Sequence, residues 1–225
     1  MTRVMGVDAC KKGWVGITSD LRGYFGSTID QLVTIADADG RLEVLAIDIP
    51  IGLPLAGSRQ ADALARKLVG RRAAAVFPTP SRAALLARSH AEGSAMNRSA
   101  TGKGMTRQAY GLGQKILQVD QWVRAVDRLV IEVHPEVCFA TMAGHPLAHP
   151  KSTWAGAQER RLLLASAGIK VPADIGNPGA LAGVDDVLDA AAASWTARRY
   201  ADGRAISHPE TPEQFDDGPL AAIWA

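Results

Sequence analysis

Short apolar runs separated by polar breaks open the chain, and they read as strands. Residues 3–8 are apolar until they stop at a carboxylate, residues 9–13 look like a turn, and 14–18 are apolar again. Together these form a hairpin, with 23–28 as a third strand. Asp30 is a good N-cap for a short helix to about residue 37, which Asp39-Gly40 ends. Residues 42–47 are another apolar strand, also closed by a carboxylate, Asp48. The Pro-Ile-Gly-Leu-Pro run after it continues neither strand nor helix. Helical composition follows at 60–69, near 81–88, and at 108–125, where Ile116, Val119, Trp122 and Val123 recur at helical spacing. Residues 129–133 are a strand carrying Glu132. Residues 158–167 form a helix stopped by Gly168, and 184–199 a longer one. Small and polar residues at 89–107 read as a mobile segment that orders on binding. Residues 211–225 are Pro-rich and acidic with a short apolar close.

Three hairpin-connected strands followed by helix-separated strands predict an α/β protein with a mixed sheet flanked by helices. The order β-β-β-α-β-α, an insertion, then β-α-α is the ribonuclease H-like arrangement. A single domain over residues 1–225 is expected, with a basic helical insertion at about 55–127. Hydrophobic residues make up 47% and charged residues 21%, enough for a sizeable core. Cys10 and Cys138 are too few for a disulfide framework, and neither belongs to a C-x-x-C pair. With no signal-like start and no long apolar run, the expectation is a cytoplasmic protein that does not engage a membrane.

Asp8, Asp48 and Glu132 each stand at or near the end of an apolar strand. A single such carboxylate is usually a turn or cap residue. If the first and fourth strands are parallel neighbours, however, their C-terminal ends bring Asp8 and Asp48 together at the edge where open α/β sheets bind ligands. Val184-Asp-Asp-Val-Leu-Asp-Ala adds more acids: Asp186 and Asp189, or Asp185 and Asp189, share a helix face. Like charges at that spacing repel unless a cation lies between them. An acidic first turn favours the helix dipole and accounts for Asp185 and Asp186, but Asp189 opens an alanine-rich, buried stretch, Ala190 to Ala193, that lets the helix approach the sheet. Carboxylates without Cys/His pairs point to Mg²⁺ or Mn²⁺. Two such ions about 3.5–4 Å apart can activate water and stabilise the leaving oxygen in phosphodiester hydrolysis.

The blocks GVDACKKGWVG, DIPIGLP, RQADALARKLVGRRAAAVFPTPSR, KILQVD, EVHPEVCF and DDVLDAAAASWTA run in order from about residue 4 to 199. They resemble the domain of unknown function 429 family, described as a predicted nuclease of ribonuclease H-like fold. That resemblance implies catalytic acids at Asp8, Asp48, Glu132 and Asp189. Asp186 resembles the extra helix carboxylate of junction resolvases and completes a metal set of Asp8, Asp48, Glu132, Asp186 and Asp189.

Net charge is only +2, but its distribution is uneven. Between Arg59 and Lys115 eleven basic residues face only Asp62 and Glu92, which gives that segment +9 and leaves −7 elsewhere. Such a patch is the expected footprint of a nucleic-acid contact. Arg59, Arg66, Arg71, Arg72, Arg82 and Lys115 are its candidate contacts, although Arg59, Asp62 and Arg66 could instead form an ion-pair face on a helix. Phe77 and Tyr110 alone offer stacking there, so a duplex or structured DNA or RNA fits better than a single strand. His134 beside the Glu132 strand reads as structural, and Lys151 as a solvated lysine within reach of phosphate. Oligomeric state stays open; nucleases acting on symmetric junctions are often homodimers. The competing readings are a non-catalytic nucleic-acid- or partner-binding module of the same fold, and a phosphotransferase of the actin/sugar-kinase type.

Overall fold

The computed structural model describes residues 2–216 and 218–225. In chain order the elements are β1 (Val4–Cys10), β2 (Gly13–Thr18), β3 (Gly23–Gly26), α1 (Ile29–Asp37), β4 (Val44–Ile47), α2 (Gln60–Leu68), a 3-10 turn (Gly70–Ala75), α3 (Arg82–Leu85), α4 (His90–Thr101), α5 (Arg107–Val123), β5 (Leu129–Val133), α6 (Pro135–Ala143), α7 (Trp154–Ser166), α8 (Asn177–Leu181), α9 (Val184–Ala201), β6 (Ser207–Gln214) and β7 (Leu220–Trp224). Among the described residues the strands form one seven-stranded sheet in the order β3-β2-β1-β4-β5-β7-β6. β1, β4, β5 and β7 run parallel, while β2, β3 and β6 are antiparallel to their neighbours. With helices on both faces this is a mixed α/β fold consistent with the ribonuclease H-like arrangement.

Alternation along the central strands splits their apolar residues between two cores. Met5, Val7, Leu45 and Ile47 pack with Ile29 and Leu32 of α1 and with Ile116, Val119 and Trp122 of α5. Val4, Val44, Ala46 and Ile131 pack with Phe139 of α6 and Ala190 to Ala193 of α9. The helices therefore cover the faces and leave the strand ends open. Among the described residues no helix is long and apolar enough to cross a membrane.

Three expectations change. Thr28, not Asp30, caps α1: its side chain accepts from Gln31 N, and the helix starts one residue before Asp30. Most of 89–107 is helix α4, because Ser89 accepts from Glu92 N and Gly102 closes the far end in the left-handed conformation. Asn97 fixes the helix to the body by accepting from Ser81 N. Ser89-His-Ala-Glu92 carries the capping signature that would have revealed it. The C-terminal stretch forms β6 and β7, with β7 parallel to β5 and Pro209 and Pro212 confined to the edge strand β6, where a missing amide donor is tolerated.

Candidate metal centre at the sheet edge

Asp8 and Asp48 stand side by side because β1 and β4 are parallel and in register, Val7 opposite Ile47. One further step of the ladder, from Asp48 N to Val7 O at 2.9 Å, brings the two carboxylates to the same level. Asp189 comes from the second turn of α9, which presses on β1. A Cβ at Gly6 would lie 1.9 Å from Ser194 N and 2.2 Å from Ala190 O, so only glycine admits the helix this close. The buried alanines Ala190 to Ala193 complete the approach. One carboxylate oxygen from each of Asp8, Asp48 and Asp189 lies within 4.8 Å of the others.

Asp8 and Asp189 are buried and Asp48 is half-buried. Burial, followed by the neighbouring Asp48 and Asp189, holds the Asp8 carboxyl well above the usual carboxylate range. Burial likewise pushes Asp48 and Asp189 up to about 7, although Lys151 pulls both down. Three carboxylates that resist ionisation together are short of positive charge. The cation present is Lys151, whose Nζ donates to Asp189 Oδ2 at 2.6 Å and lies 3.6 Å from Asp185 Oδ2. Burial works against that ammonium, but Asp189, then Asp8 and Asp48, more than offset it and raise its pKa.

The cluster forms one wall of a cavity of about 450 Å³. Ile49, Val76, Phe77 and Leu112 give it an apolar side, and Arg72, His134 and Glu136 a polar one. Asp186 also lines the cavity, while accepting from Gly183 N at 2.9 Å as the start of α9. Asp185 is the one turned toward Lys151. Neither belongs to the close triad.

Glu132 lies one strand over, opposite Ile47, and does not join the triad. Its Oε2 accepts from Ile51 N and from Arg59 Nη2, both at 2.7 Å. Burial pushes Glu132 up to about 7, with Arg59 opposing. Arg59 is correspondingly unavailable to a phosphate backbone: its side chain is fully buried, with Asp62 3.6 Å away as a second partner. Other cations of the +9 segment are also engaged inside the molecule. Arg72 donates to Glu136, Arg82 pairs with Asp120, and Lys115 donates to the carbonyls of Cys10 and Gly13. Arg66 is bound to the Ala73 and Val76 carbonyls but remains exposed, as does Arg71. The segment looked one-sided because Glu132, Glu136 and Asp120, which answer it, lie beyond it in sequence.

Sequence reasoning also missed Glu136 and its partner Arg160, joined at 2.7 Å and both buried. Glu136 follows β5 in the first turn of α6, so the strand-end signal used for Asp8 and Asp48 pointed to it too.

Comparison with curated proteins and with solved structures returns no match. The family described as "Protein of unknown function (DUF429)" matches residues 6–214. That span holds the triad, Lys151 and every strand except β7 and the first two residues of β1, and the chain therefore belongs to the DUF429 family.

Proposed function

We propose that the protein is a divalent-metal-dependent nuclease that hydrolyses phosphodiester bonds of structured DNA or RNA. The observation that carries this reading is the convergence of Asp8, Asp48 and Asp189 from β1, β4 and α9 at an open sheet edge. The donor set fits Mg²⁺ or Mn²⁺: it is all oxygen, and its mutual repulsion calls for a hard cation. Asp8, Asp48 and Asp189 would hold the metal, with Asp186 close by on the same wall. A bound ion would supply Lewis-acid stabilisation of the phosphate and an activated water.

The chain's own groups account for the rest. Ile49, Val76, Phe77 and Leu112 exclude water from one side of the cavity and offer an apolar surface to a sugar or base. Arg71 and Arg107 are exposed, and each is next in sequence to a cavity-lining residue, Arg72 and Gln108. In this reading they meet the flanking phosphates, as the exposed members of the basic segment adjacent in sequence to the cavity lining.

Full-length protein should cleave members of a panel of hairpins, junctions, duplexes and single strands of DNA and RNA when Mn²⁺ is supplied. Asp8→Asn and Asp189→Asn should each lower that rate by at least about a thousandfold while keeping the fold. Absence of cleavage across the panel, or cleavage retained by both variants, contradicts the proposal.

A further inference from the structure

Lys151 is held in a way that a solvated lysine is not. It lies in the loop before α7, and that loop is fastened to the helix at several points. Ala148 N and His149 N both donate to the Glu159 carboxylate at 3.1 Å. His149 O accepts from Arg160 at 3.1 Å, and Pro150 O accepts from Thr153 N at 3.0 Å and Thr153 Oγ1 at 2.8 Å. A Cβ at Gly156 would sit 1.9 Å from Pro150 O, so the loop lies directly against the first turn of α7. The backbone that carries Lys151 is therefore set in place before its side chain reaches across to α9.

There the ammonium stands between Asp189 at 2.6 Å and Asp185 at 3.6 Å. These acids are four residues apart on one helix face, the like-charge spacing that needs a cation between its members. The chain supplies that cation itself. We propose that Lys151 is a resident cation of the acidic centre, filling one cation position so that the cluster takes a single divalent ion instead of a pair. This inference rests on the reading of the triad as a metal centre. Lys151 already stands against Asp189 and Asp185, so a second divalent ion on that side would have to sit beside a fixed ammonium, in surroundings where such repulsion is poorly screened. When substrate is bound, the same ammonium faces the phosphodiester as a compact point charge, the role a second metal ion would otherwise take.

The test is to count Mn²⁺ bound per full-length chain by calorimetry and by electron paramagnetic resonance, at about pH 8 and without nucleic acid. The wild-type protein is expected to bind one ion. Lys151→Met keeps the length of the side chain and removes its charge; it should admit a second ion or bind the first at least about tenfold more tightly. Two ions bound with Lys151 in place, or a folded Lys151→Met protein with unchanged number and affinity, overturn the inference and leave the metal centre standing. No ion bound by the wild type removes the metal centre and this inference together. If Lys151→Met fails to fold, the wild-type count alone decides between one ion and two.

Discussion

Along the edge where β1, β4 and β5 end, Glu132 and Glu136 face buried arginines, whereas Asp8, Asp48 and Asp189 face one another and one lysine. Both groups consist of buried or half-buried carboxylates delivered by strand ends and the first two turns of helices. Arg59 and Arg160 each give the first group a charge-assisted hydrogen bond at 2.7 Å, so a metal at that oxygen would have to displace a buried guanidinium. The second group carries more negative charge than its lysine answers. Position at a strand end thus nominates an acid, and the identity of its partner decides whether it supports the fold or awaits a ligand.

The sharpest way to break this contrast is to remove an arginine. Arg59→Met strands Glu132 and Asp62 without their cation and should cost about 3–5 kcal/mol in chemical denaturation, as for other broken buried pairs. A change under about 1 kcal/mol would show that the Glu132 side is no more settled than the triad.

A smaller effect is expected from pH. Asp48 and Asp189 have folded pKa values near 7, above the ordinary value of about 4 in an unfolded chain. Between those values the folded state keeps protons that the unfolded state has lost, so stability falls as pH rises from about 4 to about 7. Glu132 shifts in the same direction, while Lys151 stays charged throughout. Metal-free protein should lose on the order of 2–3 kcal/mol between about pH 5 and pH 8, and saturating Mn²⁺ should restore it at the upper end. A flat profile would contradict the crowding of the triad.

The smallest effect is the most local. Asp48→Asn removes one repelling charge and should stabilise the metal-free protein at about pH 8 by about 1–2 kcal/mol, or roughly 2–4 °C per kcal/mol in midpoint, while abolishing stabilisation by Mn²⁺. Destabilisation instead would place Asp48 among the structural acids.

Much of this edge was legible in the sequence. Apolar runs closing at Asp8 and Asp48 gave parallel strand ends, and the alanines after Asp189 gave a helix that could reach them. What was not legible depended on partners far along the chain. Arg59 and Glu132 are 73 residues apart, and nothing local to Arg59 distinguishes a core ion pair from a phosphate contact. Counting charge within residues 59–115 therefore did not separate the cations tied up inside, such as Arg59, from the exposed ones, such as Arg71 and Arg107. Lys151 was hidden for the same reason: its role comes from a loop folded against α7, not from its neighbours in sequence. The strands β6 and β7 escaped because pairing of β7 with β5, and of β6 with β7, overrides their weak local preference.

The metal should lie at the half of the edge that has no arginine, and not at the arginine-paired half. A crystal soaked in Mn²⁺ and measured at the manganese absorption edge tests it directly. Anomalous density is expected within the bounds of Asp8, Asp48 and Asp189, with none beside Glu132. Density at Glu132, or none at the triad, would contradict it.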